Sequence, residues 1–217
     1  MSARKRAAVA ALLGAFLFTF IHSPAAFAQN AAKAKWSPLA KKIKFKRTGG
    51  ATAFSVKPQD NGAKLVDASE KELARYTVSG AKLKIKSADD DVIGYVVCRP
   101  GKLKIEDDSD RVLLELERTS SGDWRLESAS EKMIYRIKPR SYGFEIETVK
   151  DTSLYKIKLK GGRTSLRNAR DETTIYTNEK VSTLAVAPFG FDVIRSRAVK
   201  AGIAVALAID LNGCTKK

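Results

Sequence analysis

Residues 191–211 read FDVIRSRAVKAGIAVALAIDL, and the middle of this stretch, Ala201 to Ile209, is apolar on every side. A helix that is hydrophobic all round is buried, either in a protein core or in a membrane. Lys200 and Asp210 bound the apolar run, which is nine residues long. At about 1.5 Å per residue it falls well short of the ~20 apolar residues that a bilayer span requires. The protein itself is therefore expected to enclose it, and the preceding sequence must supply the enclosure.

That sequence repeats. The stretches KIKFKRTGGATAFSVK, AKLVDASEKELARYTV, KLKIKSADDDVIGYVV, KLKIEDDSDRVLLELE, DWRLESASEKMIYRIK, GFEIETVKDTSLYKIK and TSLRNARDETTIYTNE align beneath one another. One column holds Phe45, Leu65, Ile85, Ile105, Leu126, Ile146 and Leu166, with gaps of 20, 20, 20, 21, 20 and 20 residues. A second, less regular column holds Phe54, Tyr76, Tyr95, Leu114, Tyr135, Tyr155 and Tyr176. A steady period of this size signals a repeated structural unit. Within each unit apolar and polar residues alternate, as in Lys82-Leu83-Lys84-Ile85-Lys86. Alternation with period two means strands with one buried and one wet face. Turn formers such as Ser87-Ala88-Asp89-Asp90 divide each unit, and Asn61-Gly62, Pro100-Gly101 and Gly161-Gly162 separate units. Each unit thus reads as a hairpin.

Seven hairpins provide up to fourteen short strands. A lone hairpin is marginal in water, but hairpins joined up-and-down can close into a barrel without exposed edges. The expected fold is mainly β, a closed antiparallel up-and-down barrel of 12–14 strands around a buried apolar helix at 191–211. Asp192 is a plausible N-cap for that helix, and Leu184 to Phe189 reads as a last short strand or lead-in. Two other folds compete. An outer-membrane barrel needs strands of about 9–11 residues with an apolar outer face, and these strands are shorter and dense with lysine. A propeller needs about forty residues per blade, which two hairpins could mimic, but it leaves the terminal apolar helix without a place.

The amino-terminal segment reads as an export signal. Arg4, Lys5 and Arg6 precede an apolar run from Ala7 to Phe20, and Ala26-Phe27-Ala28 stands before Gln29. Cleavage between Ala28 and Gln29 removes residues 1–28. Residues 29–40, rich in Ala and Lys, are expected to form a flexible lead-in, and residues 41–217 the barrel domain. The expected location is the periplasm or the extracellular space. Removing the three basic residues of the signal lowers the formal net charge from +16 to +13. It also removes His22, the sole histidine, which excludes Ser-His-Asp and Cys-His catalysis and histidine-ligated zinc. The residues suggest no enzyme, no cofactor and no metal site.

The positive charge favours anionic partners, and the basic rows Lys41, Lys42, Lys44, Lys46, Lys82, Lys84, Lys86, Lys102 and Lys104 are the candidate contacts. The same rows also fit a solvated strand face that discourages edge pairing. No aromatic residues are expected among them on the wet face, so no specific nucleic acid is expected. The acidic turns Asp89-Asp90-Asp91 and Glu106-Asp107-Asp108-Ser109-Asp110 lack the spaced Asp and Gly of a calcium loop and read as plain turns. The tyrosine column reads as core packing. Export permits a disulfide between Cys98 and Cys214, although sequence does not tell whether they meet.

A run of units such as KLKIKSADDDVIGYVV, closed by AVKAGIAVALAID, resembles the tubby-like superfamily, which includes the LURP-one-related proteins and the phospholipid scramblases. The resemblance covers roughly Lys41 to Leu211 and lies in pattern. It implies a twelve-stranded barrel threaded by a hydrophobic helix. It also implies binding in place of catalysis, since tubby domains bind phosphoinositide headgroups through basic residues on the barrel wall. The expected function is an exported non-enzymatic module for an anionic partner, phospholipid headgroups or envelope polysaccharide. The alternative is a structural scaffold for an envelope protein.

Overall fold

Every one of the seven repeats forms a hairpin in the computed structural model, which describes residues 39–216. The hairpins pair β1 (Ile43–Lys46) with β2 (Thr52–Gln59), β3 (Gly62–Asp67) with β4 (Glu72–Ser79), and β5 (Lys82–Ser87) with β6 (Val92–Arg99). Next come β7 (Lys102–Glu106) with β8 (Val112–Arg118) and β9 (Trp124–Ser128) with β10 (Met133–Arg140). The last two are β11 (Gly143–Thr148) with β12 (Ser153–Lys160) and β13 (Arg163–Asn168) with β14 (Thr173–Thr177). Each strand is antiparallel to its sequence neighbours, and β1 meets β14, so the sheet closes. The barrel has fourteen strands, two more than the family resemblance implies. Residues 1–28, the expected export signal, and the lead-in as far as residue 38 lie outside the described residues.

A single turn design produces the period. Glu70, Asp90, Asp110, Glu131, Asp151 and Asp171 recur at the repeat spacing with φ between 58° and 72°. Asp tolerates this left-handed region better than most non-glycine residues. Three residues earlier stands a side-chain acceptor. Asp67 accepts from the N–H groups of Ser69 and Lys71, and Asp107 from those of Ser109 and Arg111. Ser87, Thr148 and Asn168 do the same in their own turns. Beside each turn the strand register slips, so that Ile85 pairs with Gly94 but Lys86 with Val92, and Ile105 with Leu114 but Glu106 with Val112. This is the bulge that accompanies a turn with one left-handed residue.

The first column, Phe45 to Leu166, is buried throughout. Its cross-strand partners are Phe54, Ala74, Gly94, Leu114, Tyr135, Tyr155 and Ile175. The tyrosine column needs correction at Tyr95 and Tyr176, because the core-facing position lies nine residues after the first column in every hairpin and these two lie ten after theirs. Tyr76 is still buried and donates its hydroxyl to the Ala198 carbonyl at 2.9 Å. Tyr95 pairs with Lys84 on the face opposite the core, and its ring lies 3.7 Å beneath the Lys82 ammonium. Tyr176 lies beneath the Arg163 guanidinium at 3.5 Å. Gly94 occupies a place where other repeats carry a side chain. Its φ is 155°, and a Cβ there would lie 2.3 Å from the Glu106 carbonyl oxygen.

After β14 the chain makes a 3-10 segment, Thr183–Gly190, so of the two expectations for this stretch the lead-in fits and the last strand does not. Pro188 cannot donate to a ladder, which disfavours a strand there. Helix α1 spans Arg197–Ala208, shorter than the 191–211 expected, and its N-cap is Ser196. The Ser196 hydroxyl accepts from the Val199 N–H at 3.3 Å. Asp192 is not the cap, because Phe191 is already buried and stacks on Tyr135, which fixes the chain before helix begins. Ala201 to Leu207 are all buried. A Cβ on Gly202 would stand 2.7 Å from Ile85 Cδ1 and 3.3 Å from Tyr76 Cε1. The strand columns, the helix residues and Leu39 join in one apolar cluster. Among the described residues no helix is long and apolar enough to cross a membrane.

Candidate anion-binding site

The lysine rows are largely neutralised where they stand. Lys42 pairs with Glu70 at 2.5 Å and Lys86 with Asp90 at 2.9 Å. Lys82 pairs with Asp110 and, at 3.5 Å, with Glu106. Lys102 and Lys104 share Glu115 at 2.5 and 2.9 Å. The turn acids thus fold back onto strand cations. Hydrogen bonds from Lys42 and Lys57 hold the Glu70 carboxyl down at about 2. Lys86, Lys138 and Lys158 similarly depress Asp90, Asp151 and Asp171 below the ordinary carboxylate range. Lys84 lies 5.9 Å from the Tyr95 ring. Aromatic residues do interleave with the lysines, contrary to expectation, because Tyr95 lies one residue past the core-facing Gly94 and pairs with Lys84. Lys41, Lys44 and Lys46 enter no ion pair among the described residues.

A different group of cations gathers beside the barrel seam. Strands β1 and β14 share one register pair, Lys46 with Tyr176, whereas β2 and β3 share six. Next to this narrow join lies a cleft of about 330 Å³. Arg47, Arg195, Arg197 and Lys200 stand on its wall, and Phe54, Phe189, Tyr155, Leu166 and Ile175 supply its apolar surface. None of the four cations has a carboxylate within 4.0 Å among the described residues. Phe54 and Phe189 are held by contact with each other at 5.1 Å and with Phe45 at 4.9 Å. The Arg197 guanidinium lies 5.7 Å from the Phe54 ring. Burial pushes the Lys200 ammonium below its ordinary value, against the pull of Asp192. Asp192 itself is engaged, taking the Tyr155 hydroxyl at 3.1 and 3.2 Å.

A larger cleft of about 560 Å³ is lined by the start of β1, residues 179–181 and the end of α1. It carries both signs, Lys41 and Lys180 against Glu179 and Asp210. The charged residues lining the cleft near α1's beginning are all cationic.

Sequence reading by column could not reach this cluster, because its residues come from positions 47 and 195–200 and follow no strand period. One signal was available. Arg195, Arg197 and Lys200 sit at the start of a helix, where the macrodipole disfavours cations, and the first turn has no acidic residue. Residues that break a local rule often mark functional sites.

The two cysteines do come together. Cys98 on β6 and Cys214 are buried free thiols. Their mutual hydrogen bond, and then burial, push the Cys98 thiol far up, which leaves it protonated and unreactive as a nucleophile. Asn212 Nδ2 donates to the Cys98 carbonyl at 3.2 Å and fixes the tail against β6.

No protein-family model matches the chain, and no curated protein matches its sequence. Among solved structures, the X-ray structure of a protein from Arabidopsis thaliana aligns over 69% of this chain and 87% of its own, at 11% identity and a TM-score of 0.37. A likeness that slight carries no argument about fold or function.

Proposed function

We propose that the chain is an exported, non-enzymatic binding module whose barrel closes around its own carboxyl-terminal helix and whose cationic seam meets an anionic surface. The observation that carries this reading is the group Arg47, Arg195, Arg197 and Lys200, whose charge no described carboxylate cancels. The lysine rows add a weaker, diffuse field, since ion pairs to turn and strand acids engage Lys42, Lys82, Lys86, Lys102 and Lys104. The formal charge of +16 with the signal, or +13 without it, acts in the same direction. The burial of Ala201 to Leu207 against Ile85 and Tyr76 supports a helix that fills the barrel. The filling leaves little interior for catalysis. The tubby-like pattern supports binding at a membrane or envelope surface. Phospholipid headgroups and acidic envelope polysaccharide offer the same phosphate or carboxylate chemistry to these cations.

Co-sedimentation tests it. The protein should pellet with phosphatidylglycerol vesicles or lipopolysaccharide at low ionic strength and not with phosphatidylcholine vesicles. It should be released as salt shortens the Debye length from about 10 Å at 0.1 M to about 3 Å at 1 M. Failure to pellet with either anionic surface at any salt concentration contradicts the proposal. Retention of one stoichiometric envelope protein instead would favour a scaffold.

A further inference from the structure

The seam cleft combines two properties that a site for a polyanionic surface does not require. Its lining joins four cations to aromatic and aliphatic side chains, with Thr174 as the sole uncharged polar residue besides the engaged Tyr155. A polysaccharide would find few hydrogen-bonding partners there. A bare phosphate would meet the cations and leave the apolar surface uncovered. The cleft's volume, about 330 Å³, lies at the small end of ligand pockets, which run from about 300 to 1,000 Å³. It therefore suits one small ligand.

We infer that the seam cleft binds a single-chain anionic amphiphile, with its hydrocarbon body against Phe54, Phe189, Leu166 and Ile175 and its phosphate or carboxylate head held by Arg47, Arg195, Arg197 and Lys200. The inference rests on the anion-binding reading above and deepens it. Burial of the chain supplies affinity in proportion to the apolar area covered. The arginines supply forked donors that match the oxygens of the head. The Phe54–Phe189–Phe45 cluster holds the apolar surface in place before the ligand arrives, which lowers the ordering cost. The same head could belong to a free amphiphile or to a lipid drawn partly from a bilayer.

Titration calorimetry with decyl phosphate below its micellar concentration tests the inference, with inorganic phosphate and decanol as half-ligands. Decyl phosphate should bind one to one and at least about tenfold more tightly than either half. The double substitution Arg195→Gln with Arg197→Gln should weaken it by about tenfold or more, since each removes charge-assisted donors at exposed positions. Lys44→Gln with Lys84→Gln should change it less than about twofold. Thr174→Trp, at an exposed position of β14, should block the cleft without entering the core. Equal weakening by both lysine and arginine pairs, or no effect of Thr174→Trp in a folded protein, would overturn the site. A vesicle arm separates the two readings. Binding to phosphatidylglycerol vesicles without binding to decyl phosphate removes the amphiphile site and leaves the surface reading. Decyl phosphate binding without vesicle binding keeps the site and identifies a free amphiphile. Absence of both removes both.

Discussion

Gly202 lets the helix lie close against Ile85 of β5 and Tyr76 of β4. A side chain there must displace Ile85 Cδ1, which can move, and Tyr76, whose hydroxyl is tied to the Ala198 carbonyl. Gly202→Leu should therefore destabilise the protein by about 1–3 kcal/mol, the usual cost of overpacking, measured as a lower denaturant midpoint at unchanged slope. Asp110 shows a second residue-scale constraint, with φ of 61°. Asp110→Gly should be close to neutral, because glycine relieves the backbone while the Lys82 ion pair is lost. Asp110→Val should cost about 1–3 kcal/mol, because a β-branched residue is strained at positive φ. The buried column was legible residue by residue, since Leu65, Ile85 and their equivalents sit on a strict period and all face the core. The orientation of Tyr95 was not. The bulge in every hairpin sets the core-facing position nine residues after the first column, and Tyr95 lies ten after Ile85, but that offset depends on a backbone angle that the composition of an acidic turn only suggests.

At the scale of elements, the hairpins and their closure into a barrel were both legible, but the narrowness of the closing join was not. The repeat specifies each strand and its partner through local turn chemistry. Nothing local specifies that β1 pairs with β14, and their single register pair makes this the weakest join of the sheet. Backbone amides of β1 and β14 should accordingly exchange with solvent faster than those of β3 to β7 in a hydrogen-exchange time course. The helix position was legible in its apolar run. Its start at Ser196 was not, because burial of Phe191 fixes the preceding turn through a long-range contact with Tyr135. The tail offers another prediction. Cys98 and Cys214 are neighbours in space, and oxidised glutathione present during refolding, before burial silences the thiols, should join them. Each thiol loses a proton, and the pair passes two electrons to the glutathione disulfide. Thiol titration in denaturant should then find no free cysteine, and the oxidised form should be more stable by about 2–4 kcal/mol. Two titratable thiols after such refolding, with none blocked by glutathione, would show that the sulfurs do not meet.

For the whole molecule, the turn acids and strand lysines form a collar of ion pairs whose protonation sets the limits of stability. Glu70, held at about 2 against an ordinary 4.5, is the clearest case, and Asp90, Asp151 and Asp171 shift the same way. A carboxyl depressed in the folded state contributes stability that is complete above its unfolded value and is lost as pH falls through its folded value. The melting temperature should therefore be flat near neutrality and fall from about pH 4.5 toward pH 2. Replacing Lys42 and Lys57 with Gln should flatten part of that fall. In the opposite direction, hydrogen bonds to Asp110, Glu115 and Glu147 raise Lys82, Lys102 and Lys138 above 10.5. Their contribution is present at neutral pH and is lost as pH rises above that value. The collar engages five of the row lysines, whereas the four seam cations have no carboxylate within 4.0 Å among the described residues. Alternation reveals which residues share a face, but it does not reveal which opposite charges a turn brings back to that face.

The account depends on a helix surrounded by the strands that precede it in the chain. Native-state hydrogen exchange of the Ala201–Leu207 amides measures this most directly. Enclosure predicts that they exchange only through global unfolding, at the same free energy as the central strands and with the same denaturant dependence. Exchange of those amides at a lower free energy, while the β3 to β7 amides stay protected, would place the helix outside a barrel that stands without it.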